Sequence, residues 1–340
     1  MKKVKVISIG MISILLIGIA GIWQYNRNNS SEDNTLIKND TSAKNDTSVK
    51  VAKEVLKLNP LAISASNEKV SSVDIPDSCS NAFGKDVTAY KVKSHKYSKE
   101  EIDTIMKALK TDVKEEQKLK DGIEVYQLKN GAYMEYYENS GAISYISETD
   151  SDIDVKNLKK EINEKKCKKV ADKFISETGI IDEADLEYVN MDVCETIETN
   201  EGTYPLTYEI YYSKKHPEKS KGFYGVGPGI KIEVDKDYNI RTFISVDKDV
   251  EEISGTYTTI NEEEAVDKIY NGDGVQIDGS SEGDMGVSID DVDLYLYCDP
   301  VAENQTYMAP YYVMDGKDEK GAEITITVPA IEDSMIEYVK

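Results

Sequence analysis

The chain has 340 residues, room for one large or two modest domains, and a net charge of -23 with 31% of its residues charged. The first 27 residues hold four basic side chains (Lys2, Lys3, Lys5 and Arg27) and no acid, which leaves 37 bases against 64 acids in the remainder. So acidic a body lacks the basic footprint that phosphate contacts need, and this argues against nucleic acid as a partner.

In chain order, Val6 to Trp23 is a run of eighteen residues without a charge behind a lysine-rich start. It predicts a membrane-spanning helix with a cytoplasmic N-terminus, or a signal peptide cleaved near Gly18-Ile19-Ala20. Either way the body is expected outside the cytoplasm. Asn26 to Lys50 is polar and repeats KNDTS, the composition of a disordered tether that cannot bury a core. The expected division is 1–25 for the signal anchor or signal peptide, 26–48 for the linker, 49–150 for an N-terminal α+β module and 151–340 for a C-terminal one.

Val49 to Leu58 reads as a short amphipathic helix, and Val87 to Val92 as a strand. Ser98, with Glu101 in the box position, opens a helix whose Ile102, Ile105, Met106 and Leu109 recur at helical spacing. Ile123 to Leu128, Ala132 to Tyr137 and Ala142 to Ile146 read as three strands joined at Asn130-Gly131 and Asn139-Ser140-Gly141.

A longer helix is expected from about Asp154 to Thr178, closed by Gly179, with Cys167, Val170, Ala171, Phe174 and Ile175 on one face. Leu186 to Cys194 and Pro205 to Tyr212 lead as strands into a central hairpin. There Ile230, Ile232 and Val234 alternate with charges, Asp235 to Asn239 turns, and Ile240, Thr242, Ile244 and Val246 return with Phe243 on the other face. Asn261 and Glu264 cap a helix that turns Val266, Ile269 and Tyr270 inward and stops at Gly272. Gly272 to Gly286 reads as an acidic loop. Val292 to Cys298, Tyr311 to Met314 and Ile324 to Val328 read as a closing meander.

The run VGPGIKIEV, the hairpin and YTTINEEEAVDKI are similar to PepSY-like modules. They also resemble the YycH/YycI type of membrane-anchored regulatory proteins of Gram-positive bacteria. The tail APYYVMDGKDEKGAEITITVPAI resembles the last strands of the same group, so that the likeness spans Ile153 to Ile331. It implies an extracytoplasmic, non-enzymatic protein that acts by touching another protein, and it carries no catalytic residues.

The residues themselves offer little chemistry. Four cysteines outside the cell invite disulfides, and Cys167 with Cys194 is the expected pair, buried thiols being the alternative. No C-x-x-C supports a zinc or redox site. His95 and His216 lie near no nucleophile motif, and a Cys79/His95 pair has nothing but its residue types behind it. Ser66 to Lys69 and Ser245 to Lys248 match S-x-x-K without the partner motifs of penicillin-binding enzymes. Gly222, Gly225, Gly227 and Gly229 precede a strand, where a phosphate cradle needs a helix. Asp150-Ser151-Asp152-Ile153-Asp154 opens like a calcium loop, with Glu161 twelfth, but Val155 replaces the required glycine. No catalytic, cofactor or metal residue is therefore expected.

Tyrosine is abundant, 23 against 4 Phe and 1 Trp, and clusters at Tyr133/Tyr136/Tyr137, Tyr208/Tyr211/Tyr212, Tyr295/Tyr297 and Tyr311/Tyr312. Such clusters suit half-exposed strands or a recognition surface. The expected fold is α+β, with an N-terminal membrane helix, a disordered tether and two antiparallel-sheet modules with packed helices. The expected function is non-catalytic modulation of an envelope partner such as a sensor kinase, or a surface module binding glycan or peptide.

Overall fold

The computed structural model describes residues 5–8, 54–61, 70–119, 122–147, 162–199, 202–216, 220–225, 227–253, 256–272, 274–279 and 285–339. Strands β1 (Lys5–Ser8), β2 (Leu56–Leu58), β3 (Val70–Asp74), β4 (Asp86–Val87) and β5 (Tyr90–Ser94) come first. Helix α1 (Lys99–Ala108) follows. Its capping box is complete, with the Ser98 hydroxyl accepting from Glu101 N and the Glu101 carboxylate accepting from Ser98 N. Strands β6 (Val113–Lys118), β7 (Ile123–Leu128), β8 (Tyr133–Tyr137) and β9 (Ala142–Ile146) form an antiparallel meander.

Helix α2 (Glu164–Thr178) starts on the Asn163 side chain and ends at Gly179 in the left-handed region. A long hairpin follows, of β10 (Leu186–Thr199) and β11 (Gly202–Lys214), then β12 (Phe223–Gly225), β13 (Gly229–Asp235), β14 (Ile240–Val246), β15 (Lys248–Glu252) and β16 (Tyr257–Thr258). Helix α3 (Glu262–Asn271) has the second full capping box, Asn261 with Glu264. The chain closes with β17 (Gln276–Gly279), β18 (Met285–Cys298), β19 (Tyr307–Met308), β20 (Pro310–Asp318), β21 (Glu323–Pro329) and β22 (Ile336–Tyr338).

Nine strands form one sheet in the order β1-β10-β11-β13-β14-β9-β8-β7-β6, every neighbour antiparallel. Helices α1 and α2 lie on one face. Ile105, Phe174 and Ala171 pack there against Leu128, Met134, Tyr145, Ile210, Ile232 and Phe243. Fully buried side chains of this size each contribute about 1.5–3 kcal/mol relative to exposure, so this face dominates the stability of the first half of the fold. A second sheet, β12-β18-β20-β21-β17 with β3 beside β18, is covered by Ala265 and Ile269 of α3. Leu56, Leu58 and Leu61 anchor the early segment in a third core with Tyr257, Tyr307 and Tyr311. The single residue Asp247 carries the chain from β14 into β15, which pairs with β5 in a separate sheet, β15-β5-β19.

The expected α+β class is corrected by this architecture. Three α-helices of 10, 15 and 10 residues stand against 22 strands among the described residues, so the fold is chiefly β. The pairing of β9 with β14 also runs one sheet across the boundary expected between residues 150 and 151, in place of two separate antiparallel-sheet modules. Lys5–Ser8, where the membrane helix was expected to begin, is a strand paired with β10. The rest of that helix and the tether lie outside the described residues, and among the described residues no helix is long and apolar enough to cross a membrane.

Leu56–Leu58 is a strand and not the end of a helix. The acidic loop expected up to Gly286 gives way to β17 and to a 14-residue β18, whose bulge between Ile289 and Asp291 shifts the inward set and hides the alternation. On β14 the deeply packed residue of the helix-side face is Phe243, not the Ile240–Val246 series. On α3, Tyr270 is exposed and its hydroxyl accepts from Val73 N, while Lys268 turns inward and pairs with Asp333.

Candidate functional site

Strand β6 ends the nine-stranded sheet and, among the described residues, is bonded to β7 alone. Its sequence VKEEQK puts five consecutive exposed polar residues on that edge, a pattern that discourages indiscriminate strand pairing. The register sets Glu116 opposite Tyr126 and Lys118 opposite Glu124, so Glu116 and Lys118 lean toward the helix side. There a cavity of about 600 Å³ opens between α1 and the edge. Tyr97, Ile102, Met106, Tyr126 and Tyr136 form its floor, and charged side chains form its rim.

The floor is held by hydrogen bonds. The Tyr136 hydroxyl accepts from Tyr97 N at 3.1 Å, the two rings meet edge to face at 5.7 Å, and the Tyr97 hydroxyl donates to Ile180 O. The Tyr126 hydroxyl donates to Glu124 at 2.6 Å. That bond, followed by Lys118 at 2.9 Å, holds the Glu124 carboxyl below the usual carboxylate range. Burial, followed by Glu124, raises the Tyr126 phenol, so it stays a neutral donor. On the rim Lys96 pairs with Glu138 at 3.6 Å and Lys118 reaches both Glu124 and Glu138. Lys99, Asp103 and Glu116 also line the groove and make no ion pair with the described residues.

A second cleft, of about 580 Å³, lies on the far side of the loop that leads into α1. His95 stands there between Glu101 (Nε2 to Oε1 3.1 Å) and Asp247 (Nδ1 to Oδ2 3.8 Å). Lys214 pairs with Asp247 at 2.6 Å and with Asp249 at 2.9 Å. Burial works against the Lys214 ammonium, but the two aspartates outweigh it and hold its pKa above the ordinary lysine value. Asp182, Glu183 and Asp185, at the end of α2, complete an acidic wall. His95, Glu101, Asp247, Asp249 and Lys214 are paired with one another, and among the described residues the cleft offers no nucleophile with a base in reach. Among the described residues no cluster of His, Cys, Asp or Glu is arranged to hold a metal ion.

The residues singled out from sequence are dispersed. Cys167 is buried under α2, where burial pushes its thiol up to about 11. Cys194 sits at a bulge of β10 beside Thr207 and the carboxylates of Glu233 and Glu209, and burial pushes it up to about 12. The sheet stands between them, and no disulfide joins them. Cys79 packs in the second core with its thiol toward Asp290 O at 3.9 Å, away from His95. The glycine run serves close approach: a Cβ on Gly225 would lie 2.5 Å from Cys298 O, and one on Gly229 2.4 Å from Tyr212 O. The calcium-like loop from Asp150 to Glu161 and the Ser66 to Lys69 motif fall outside the described residues.

Of the tyrosine clusters, one member, Tyr136, enters the groove, while Tyr208, Tyr212, Tyr297, Tyr311 and Tyr312 are buried in the cores. Sequence reasoning missed β6 itself, and with it Glu116 and Lys118. The signal available was the spacing of VKEEQK, one turn after α1 and just ahead of the Ile123–Leu128 strand.

No family model matches the chain, and no curated protein matches it. Among solved structures it is similar to an uncharacterized protein from Eubacterium rectale, 9% identical, with a TM-score of 0.37 over 77% of this chain and 89% of that chain. A likeness at that score carries no argument about either fold or function.

Proposed function

We propose that this chain works outside the cytoplasm as a non-catalytic protein that modulates an envelope partner, and that it does so by holding an extended segment of that partner along β6. One observation carries the reading: an edge strand that among the described residues is bonded on one side only, flanked by a tyrosine-floored groove beneath α1. Strand addition takes affinity from main-chain hydrogen bonds and specificity from pockets that receive alternate side chains, and the groove stands where every second side chain of an added strand would point. Lys99, Asp103 and Glu116, not spent on ion pairs with the described residues, are the rim charges open to a ligand. The lysine-led uncharged run at the start is the sequence feature that supports export. The floor tyrosines are almost fully buried, which leaves little open ring face for a sugar and favours peptide over glycan.

A photo-crosslinking residue at Gln117 tests this in native membranes. The expected result is one dominant protein adduct, lost when Lys99→Glu, Asp103→Lys and Glu116→Lys are combined, with unchanged thermal stability because these side chains make no ion pair with the described residues. Adducts that form equally from a control position at Lys317, or that survive the triple substitution, overturn the reading.

A further inference from the structure

Lys248, the first residue of β15, is turned into the protein by the one-residue step at Asp247 and is 1% exposed. Its Nζ donates to Gln305 Oε1 at 3.0 Å, and no carboxylate lies within 4.0 Å of it among the described residues. An ammonium in that position loses its hydration for one neutral hydrogen bond, an arrangement folded proteins avoid. Gln305 is itself 3% exposed and fixed on both sides: its Nε2 donates to Tyr297 O at 2.8 Å, and its Oε1 also accepts from Asp299 N at 3.3 Å. The Asp299 carboxyl, 5% exposed, accepts from Asn59 Nδ2 at 2.7 Å. An amine, a carboxamide and an acid are thus enclosed together, with the carboxamide carbonyl already polarised by two N–H donors.

We propose that Lys248 and Gln305 are the two ends of an intramolecular isopeptide cross-link, formed autocatalytically in the folded chain. The Nζ lone pair adds to Cδ of Gln305, and the charge that develops on Oε1 is held by Asp299 N–H. The proton shed by Nζ passes within the adduct to Nε2. The Cδ–Nε2 bond then breaks, and ammonia leaves. The product is a secondary amide joining Nζ to Cδ; no atom is oxidised or reduced, and no co-reactant is needed. Burial lowers the Lys248 pKa, which favours the nucleophilic neutral amine. The cross-link would remove the unpaired charge from the interior and tie β15 to the turn that precedes β19.

The test is the mass of the purified full chain under denaturing conditions, followed by tryptic mapping. The expected result is a mass short of the sequence by one ammonia, no cleavage after Lys248, and a branched peptide that contains both Lys248 and Gln305. Lys248→Met should restore the full mass expected for its sequence, and so should Gln305→Met. Should either variant fail to fold, the map of the unaltered chain decides alone. Free Lys248 with an intact Gln305 peptide overturns the proposal, and so does an ammonia loss mapped to any other pair of residues.

Discussion

Glu124 shows how one hydroxyl sets the chemistry of the groove. The Tyr126 hydroxyl and the Lys118 ammonium both favour its ionised form, and its pKa falls below the ordinary 4.5. A carboxylate whose folded pKa is depressed stabilises the fold above its unfolded pKa, and that stabilisation is lost as the pH falls through the folded value. Tyr126→Phe should therefore cost about 1.5–3 kcal/mol at pH 7, the range for a hydrogen bond to a charged group. The loss should shrink toward nothing as the pH drops below the folded pKa. Urea denaturation at pH 7 and in strong acid measures both limbs, and an equal loss at both pH values would show that Tyr126 acts by packing alone. Of these contacts the sequence displays the residue types and nothing of their meeting: Glu124 and Tyr126 are two apart on one strand, but Lys118 reaches them through a register that depends on a bulge between Val113 and Glu115.

Elements with local stop and start chemistry were the readable ones. Both capping boxes, the Gly179 and Gly272 stops and the β7-β8-β9 meander all follow from side chains a few residues apart. Strands without alternation were hidden or cut short: β6 was missed because an edge needs no apolar face, and only the first part of β10 and the last part of β18 were read, because bulges at Cys194 and Asp290 invert their faces partway along. Helix α1 is the element on which the groove depends, since its cap fixes the loop carrying His95 and Tyr97. Ser98→Ala removes the acceptor for Glu101 N and should cost about 1 kcal/mol. It should also loosen Glu101, whose carboxyl burial would raise, and which Ser98 N, the Ser98 hydroxyl and His95 together hold below its ordinary value. Amide exchange at Tyr97, whose N–H donates to Tyr136, reports the loosening directly. Unchanged exchange would place the rigidity of the loop in the Tyr97–Ile180 bond and not in the cap.

At the scale of the molecule, the decisive contact is the seam between β9 and β14, five residue pairs that join the two halves of the sequence. Nothing in local periodicity announces it, because β9 and β14 are separated by α2, by the β10-β11 hairpin and by β13. The same seam stacks Tyr145 on Phe243 at 5.6 Å, and Phe174 of α2 closes over that pair at 5.0 Å. Residues 151–340 expressed alone would keep α2 and the hairpin but would expose the whole edge of β14 and strip Phe243 of one of its two aromatic neighbours. An unpaired, largely apolar edge is a template for pairing with other chains. The isolated fragment is therefore expected to associate or aggregate, with a broad thermal transition, while a chain starting at Glu54 melts cooperatively. Size-exclusion chromatography with calorimetry on the two fragments decides the matter. A monomeric fragment 151–340 with a sharp transition would mean that the second half folds on its own and that the seam is a docking contact between finished domains.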